Sequence, residues 1–310
     1  MTVAGRPAPS WQPTDDRLDV LVGRLSLEER VRVLTGETNW MLYPLPSAGL
    51  RALTVSDGPI GVRGRGLAPT TSAQMPAPSA LAATWDESLA GELGALMAGE
   101  ARAKSADVVL APVVNLQRTP LAGRHFECFS EDPLLSGRMA VPYVEALQRE
   151  GVGACIKHFV ANDSETQRTL YTSRLSVRAL REVYLAPFER VVKDAGVWMV
   201  MAAYNGLAWD SEEAPATEHR TLLRQLLKEE WEFDGVVVSD WLATKSTVAS
   251  ARNGLDLVMP GPGGPWAQGL LDAVRAGDVP EEDIDDKVRR ILRLAARVRD
   301  GLRAGHSYEE

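Results

Sequence analysis

The run GVVVSDW at 235–241 joins three valines to a serine, an aspartate and a tryptophan. Its apolar half reads as a strand buried on both faces, which puts the Asp240 carboxylate and the Trp241 ring at a strand end. A carboxylate there has two readings. It caps the segment that follows, LATKSTVASARNG, a task that Ser239 or Thr244 could also perform. Or it is a nucleophile at the floor of a pocket, with Trp241 offering an apolar face to a sugar ring. Other strand-like runs end in the same way, in Asp57, in Asn115, in Lys157 with His158 and in Tyr204 with Asn205. One polar residue after a strand is ordinarily a turn former or cap. Repeated from run to run with different residue types, the pattern points to side chains converging on one mouth. Lys157 and His158 read as a cationic pair suited to binding hydroxyls and to keeping a nearby aspartate ionised. A strand-end lysine is also what a Schiff-base aldolase uses.

Other features carry less. GVRGRG at 61–66 lacks the Walker lysine and does not open a helix, so it reads as a loop. His219 and His306 have no ligand spacing and are expected to face solvent. Cys128 and Cys155 lie outside any CxxC or Cys/His cluster, so they read as reduced, buried thiols. Neither a metal nor a cofactor is expected.

The elements that must position these residues alternate. The strand-like runs are 53–58, 80–86, 107–115, 153–159, 198–205, 235–241 and 255–261. Helical patterns occupy 86–104, 132–150, 176–195 and 217–231, with Asp86 and Ser176 as N-caps and Gly151 and Gly196 as stops. The segment 280–305 is an amphipathic closing helix, acidic at its start and basic at its end. Residues 60–78 and 206–216 read as loops. Strands alternating with helices predict βαβ units and a parallel sheet. With 310 residues, the expected fold is an α/β protein of the (β/α)8 TIM-like barrel type. Seven strand candidates leave one barrel strand degenerate or unassigned. Active sites of such barrels lie at the C-terminal ends of the strands, where the polar residues gather. The net charge of -8 argues against nucleic-acid binding, which needs a basic surface. No stretch approaches the ~18 apolar residues of a membrane span, and the N-terminus lacks the apolar run of a signal peptide. A cytoplasmic location and a neutral or small-molecule partner are expected.

Six motifs in order along the chain resemble the catalytic barrel of glycoside hydrolase family 3, in its β-glucosidase-like branch. They are SDGPIGVRG (56–64), GRHFECFSEDP (123–133), KHFVANDSETQR (157–168), MAAYN (201–205), GVVVSDW (235–241) and GLDLVMPG (254–261). The resemblance implies a single catalytic domain over 1–300 with a tail at 301–310. It implies a retaining mechanism on terminal non-reducing β-linked sugars, with Asp240 as the nucleophile that forms a covalent glycosyl-enzyme. Asp57, Arg124, Lys157, His158 and Tyr204 match positions that hold the sugar, and Met201 and Trp241 match residues that shape its subsite. Lys157, His158 and Arg124 are then expected to hold down the pKa of Asp240. The N-acetylglucosaminidase branch of the family carries a KHFPGHGDT-type sequence with a mobile histidine; VANDSE stands there instead, against an N-acetylhexosamine specialist.

A retaining glycosidase needs two carboxyl groups roughly 5–5.5 Å apart, and only one is plain in this sequence. In the branch resembled, the acid/base is a glutamate outside the barrel, usually on a following α/β domain, for which no segment is found here. Three explanations compete. The chain is an excised or truncated domain, the reading favoured because residue 310 falls at the usual domain junction. A second chain supplies the acid. Or Glu165, Asp163 or Glu213 substitutes for it. The acidic segment after MAAYN, GLAWDSEEAPATEH, also departs from the family's usual NG-x-P pattern, which puts specificity beyond the first subsite in doubt. The rival to an enzyme is a non-catalytic sugar-binding or partner-dependent barrel subunit.

Overall fold

A computed structural model describes residues 14–64 and 71–302. Its strands, in chain order, are β1 (Val55–Asp57), β2 (Val108–Leu110), β3 (Gly153–Phe159), β4 (Thr172–Arg174), β5 (Met199–Ala202), β6 (Gly206–Trp209), β7 (Glu212–Pro215) and β8 (Val236–Ser239). Five form one sheet in the order β1-β2-β3-β5-β8, with every pairing parallel. β2, β3, β5 and β8 are buried along their whole length, which is why their sequences are continuous rather than alternating. Helices cover the sheet, among them Glu87–Ala103, Pro133–Arg149, Ala186–Ala195 and Glu281–Arg297. Among the described residues, no helix is long and apolar enough to cross a membrane.

The parallel sheet curls but does not present eight regular strands among the described residues. Past β8 the ladder continues only as isolated parallel bridges, Val238 to Leu257 and Val258 to Thr35. The run expected as a strand at 255–261 is therefore a pair of bridges. The segment 36–42 then folds back, and Met41 bridges antiparallel to Thr54, at the foot of β1.

Other expectations are corrected. The run 80–86 is not a strand: Pro78–Ala82 is helical. Proline pre-set at its first position, followed by Ser-Ala-Leu-Ala without a β-branched residue, favours that outcome. The stretch 206–216 is not a loop. β6 and β7 form an antiparallel hairpin turned at Asp210, whose φ is 49°, and β4 adds in parallel to β6. The expected helices at 176–195 and 217–231 both contain wider, π-type turns, over Leu180–Tyr184 and Thr221–Glu230. Asp86 and Ser176 do cap helices, accepting from the N–H groups of Leu89 and Ala179, and Gly196 ends one in the left-handed region.

The closing helix Glu281–Arg297 is tied to the lower end of β8 by buried charge. Lys228 Nζ lies 2.5 Å from Asp256 Oδ1 and 3.6 Å from Asp286. Asp256 is wholly buried, and its second oxygen accepts the Val237 N–H at 2.8 Å. Arg290 bonds Asp286 and donates to the carbonyls of Phe233 and Gly235. Removing one member of a buried pair strands the other's charge. Asp256→Ala should therefore cost about 3–5 kcal/mol in urea-unfolding stability. Asp286→Ala, at the more exposed end of the network, should cost less.

Candidate active site

The polar residues read at strand ends do meet. Asp57 is the last residue of β1, Lys157 and His158 lie near the end of β3, Tyr204 follows β5, and Asp240 directly follows β8. A register shift between Ile156 and Phe159 inserts one extra residue in β3 against β5. Such a bulge re-aims side chains that would otherwise alternate across the sheet. Both neighbours reach the site: Lys157 Nζ lies 2.7 Å from Asp57 Oδ1, and His158 Nε2 lies 3.5 Å from Asp240 Oδ2. Asp240 is not a helix cap, since the next helix begins only at Val248.

Asp240 is 7% exposed. Its Oδ1 accepts the Trp241 N–H at 2.7 Å, whereas its buried Oδ2 has no hydrogen-bond partner among the described residues. Burial raises the Asp240 pKa above the usual carboxylate value. Lys157, the Trp241 N–H, Arg124 and the Tyr204 hydroxyl, which faces the carboxylate, pull it down without winning. The expectation that the cations hold this pKa low is corrected: desolvation outweighs them.

His158 is not half of a cationic pair. Burial first, and Arg124 and Lys157 next, hold its pKa well below the ordinary value, so the imidazole is neutral. Its 3.5 Å approach to Asp240 is then a contact rather than an ion pair. Asn115 fixes the ring's tautomer. Its Oδ1 accepts the His158 backbone N–H at 2.6 Å, and its Nδ2 donates to the His158 carbonyl at 2.9 Å, so its amide orientation is determined. His158 Nδ1, 3.3 Å from that Oδ1, must carry the proton. Nε2 is left as an acceptor for Arg124 Nη2 at 3.1 Å. Two acceptors, Nε2 and Oδ2, thus face one another, so His158 offers Oδ2 no proton.

Asp57 behaves in the opposite way. Burial pushes its pKa up, but Lys157, Arg63 and Arg124 outweigh burial and hold it below the usual range. Arg124 also bonds Glu127 at 2.8 Å and lies 3.6 Å from Glu165. Trp241 packs on Trp40 with centroids 5.2 Å apart, and its Nε1 donates to the Asn39 carbonyl. The apolar wall is therefore a tryptophan pair. Met201 is buried on β5 opposite Val238.

Sequence reading missed several contributors. Asn115 was visible as a strand-end polar residue, but its grip on His158 was not. Glu127 buries its carboxylate against Arg124. Arg168 lies over the Tyr204 ring at 4.1 Å and bonds Glu165 at 2.7 Å. Arg63 approaches Asp57 at 3.9 Å. Trp40 comes from an N-terminal stretch with no motif signal. His219 corrects another expectation. It is buried, stacked on Trp209 with centroids 4.0 Å apart, and held neutral by burial, its pKa lowered to about 4. His306 lies outside the described residues. Both cysteines are free and buried. No group of three or more His, Cys, Asp or Glu side chains among the described residues could hold a metal.

The in-chain acids divide. Glu213 sits on the exposed hairpin, paired with Arg174 and Thr172. Glu165 is held by Arg168 and Asn162 beside Arg124. Asp163 is half-buried, and its Oδ1 has no partner among the described residues. Burial raises its pKa to about 6, against the pull of Arg118 and His125.

Comparisons with known proteins point to one family. Residues 45–294 match the family model for the glycosyl hydrolase family 3 N terminal domain. A β-glucosidase of Rhizobium radiobacter is 44% identical over 283 residues, 91% of this chain and 34% of that protein. β-Glucosidase B of Emericella nidulans is 42% identical over 293 residues, 93% of this chain and 34% of that protein. The structure of β-glucosidase 3B from Thermotoga neapolitana in complex with glucose superposes with a TM-score of 0.84 at 38% identity, covering 91% of this chain and 42% of that one. The chain thus spans about a third of the length of these curated relatives.

A carboxyl whose folded pKa is raised is a liability once ionised. Asp163 contributes its full share of stability below pH 3.8, its ordinary value, and loses it as pH rises through about 6. Asp163→Asn should therefore raise the unfolding free energy measured in urea at pH 8 by about 1–2 kcal/mol once partial exposure is allowed for. At pH 3.5 it should change nothing.

Proposed function

The chain belongs to glycosyl hydrolase family 3, and from that premise we propose that it is the nucleophile-bearing domain of a retaining β-glucosidase-like enzyme acting on terminal β-linked sugars. Its curled parallel sheet is read as a (β/α)8-type barrel whose irregular closure runs through 255–261 and 36–42. One observation carries the reading. Asp240 is buried at a strand end with one oxygen pinned and the other unpartnered, beside groups suited to sugar hydroxyls. Oδ1 is oriented by the Trp241 N–H, which leaves Oδ2 to attack the anomeric carbon. A bond forms from Oδ2 to that carbon as the bond to the leaving oxygen breaks, and water later reverses the step.

The surroundings support these roles. Asp57 with Lys157, Arg124 and the neutral His158 present acceptors and donors to the ring hydroxyls, and such bonds strengthen as oxocarbenium character develops. The Trp40–Trp241 pair gives the ring an apolar wall. Desolvation makes the ionised Asp240 a stronger base and nucleophile, at the cost of its ionised fraction in acid. The leaving oxygen still needs a proton. We assign that acid to a carboxyl outside these 310 residues, in keeping with the chain's spanning about a third of its relatives.

A 2-deoxy-2-fluoro-β-glucoside with a dinitrophenolate leaving group needs little acid help. It should add one fluoroglycosyl mass to the chain, and Asp240→Ala should abolish the addition. The labelling rate should fall as pH drops through the raised Asp240 pKa, because only the carboxylate attacks. Label persisting in Asp240→Ala would sink the assignment. No label alongside glucose binding in calorimetry would point to a sugar-binding or partner-dependent subunit instead. Cellobiose should be turned over poorly by the isolated chain, and rapid hydrolysis would place the acid within it.

A further inference from the structure

We propose that Lys104 and Glu100, at the C-terminal end of the helix Glu87–Ala103, are positioning residues for the sugar site, acting through the loop that follows β1. This rests on the proposed reading of Asp57 as a sugar-binding group, with Arg63 approaching it at 3.9 Å. After Asp57 the chain turns back on itself. The Arg63 N–H donates to the Asp57 carbonyl at 3.0 Å, and the Gly64 N–H donates to Ser56 Oγ at 2.9 Å. Gly64 has a φ of 71°, a conformation that side chains rarely adopt. These bonds place the Arg63 backbone beside β1. The Arg63 side chain is 73% exposed, so its aim at Asp57 depends on where the loop holds its Cα.

Lys104 holds that loop from behind. Its Nζ donates to the Val62 carbonyl at 2.9 Å, to Ser72 Oγ at 2.6 Å and to Glu100 Oε2 at 2.9 Å. An ammonium has three donors, and all three are matched. Ser72 Oγ in turn donates to the same Val62 carbonyl at 2.6 Å, and Glu100 Oε2 also accepts the Ala73 N–H at 3.1 Å. One ion pair, 8% exposed on its lysine side, thus fastens both described limbs of the loop to the helix. The Lys104 stem packs against Gly64, next to Arg63. A lysine kept only for surface charge would not bury its head on a carbonyl and a hydroxyl of the loop that carries an arginine to the site. With Lys157 on Asp57 Oδ1 and Arg63 nearest Oδ2, the staple fixes one of the three cations that hold Asp57 ionised.

The test is a double-mutant cycle read by glucose binding in calorimetry, with fluoroglucoside labelling of the same proteins alongside. Lys104→Met should weaken glucose binding about fivefold to tenfold, within the range of coupling between interacting residues. It should raise the fluoroglucoside concentration for half-maximal labelling by a similar factor while leaving the limiting rate within about twofold. In an Arg63→Ala background it should add nothing, because the path runs through Arg63. Lys104→Arg, which keeps charge and donors, should recover part of the loss. Ser72→Ala should give a smaller shift in the same direction, and it carries the same cycle if Lys104→Met fails to fold. An unchanged glucose constant in Lys104→Met, or an equal loss in both backgrounds, overturns the inference. So does absence of glucose binding to the unsubstituted chain. Glucose binding without labelling overturns the glycosidase reading and leaves the staple to be judged by the calorimetric cycle.

Discussion

The site depends on one constraint, a carboxylate held out of water at the end of β8. An unaccompanied buried carboxylate takes up a proton rather than stay charged. Asp240 is kept within reach of ionisation by Lys157 and Arg124 and by a single pinned oxygen. Each of these comes from a different strand end or loop. The carboxylate's usefulness therefore requires β3, β8 and the segment that carries Arg124 to be held in place. The buried Lys228–Asp256–Asp286 network at the lower end of β8 serves the same requirement, since it ties that strand to the closing helix.

Two aspartates on one sheet are driven apart in acidity by their surroundings. Asp57 has a lysine in direct contact and arginines around it, so Coulombic attraction overcomes desolvation. Asp240 faces a neutral imidazole, and desolvation prevails. Burial beside Arg124 and Lys157 keeps that imidazole neutral, and Asn115 commits its one proton to Nδ1, which turns a lone pair toward Oδ2. A residue with no claim on substrate thus shapes the reactive oxygen.

The loop between β3 and β4 and the end of the helix Glu87–Ala103 support the site as well. Arg168 over Tyr204, Glu165 between Arg168 and Arg124, and the Lys104 staple on the β1 loop form a second ring of ionic contacts. Such contacts on an open surface are worth little individually. Here their role is geometric, because each fixes an arginine that would otherwise sample many rotamers.

By itself the sequence determined the parallel strands and the identity of the groups at their ends. GVVVSDW and GACIKHF are legible because a strand buried on both faces must be apolar throughout, so a polar residue marks the point where burial ends. The same logic misread ALAATWD, since a short apolar run without β-branched residues suits a buried helix equally well. It missed β4 and β7, whose half-exposed or exposed residues carry no apolar signal, and β6, whose buried run Gly206–Trp209 is only four residues long. Ordered motifs identified Asp240, Asp57, Arg124, Lys157, His158 and Tyr204 as one set, but residue types do not reveal protonation. Only the tertiary structure decided that His158 is neutral, that Asp240 is raised rather than lowered, that His219 is buried, and that Trp40 backs Trp241. Those outcomes depend on how much water each group loses and which partner lies within about 4 Å, quantities that exist only once distant segments are packed together.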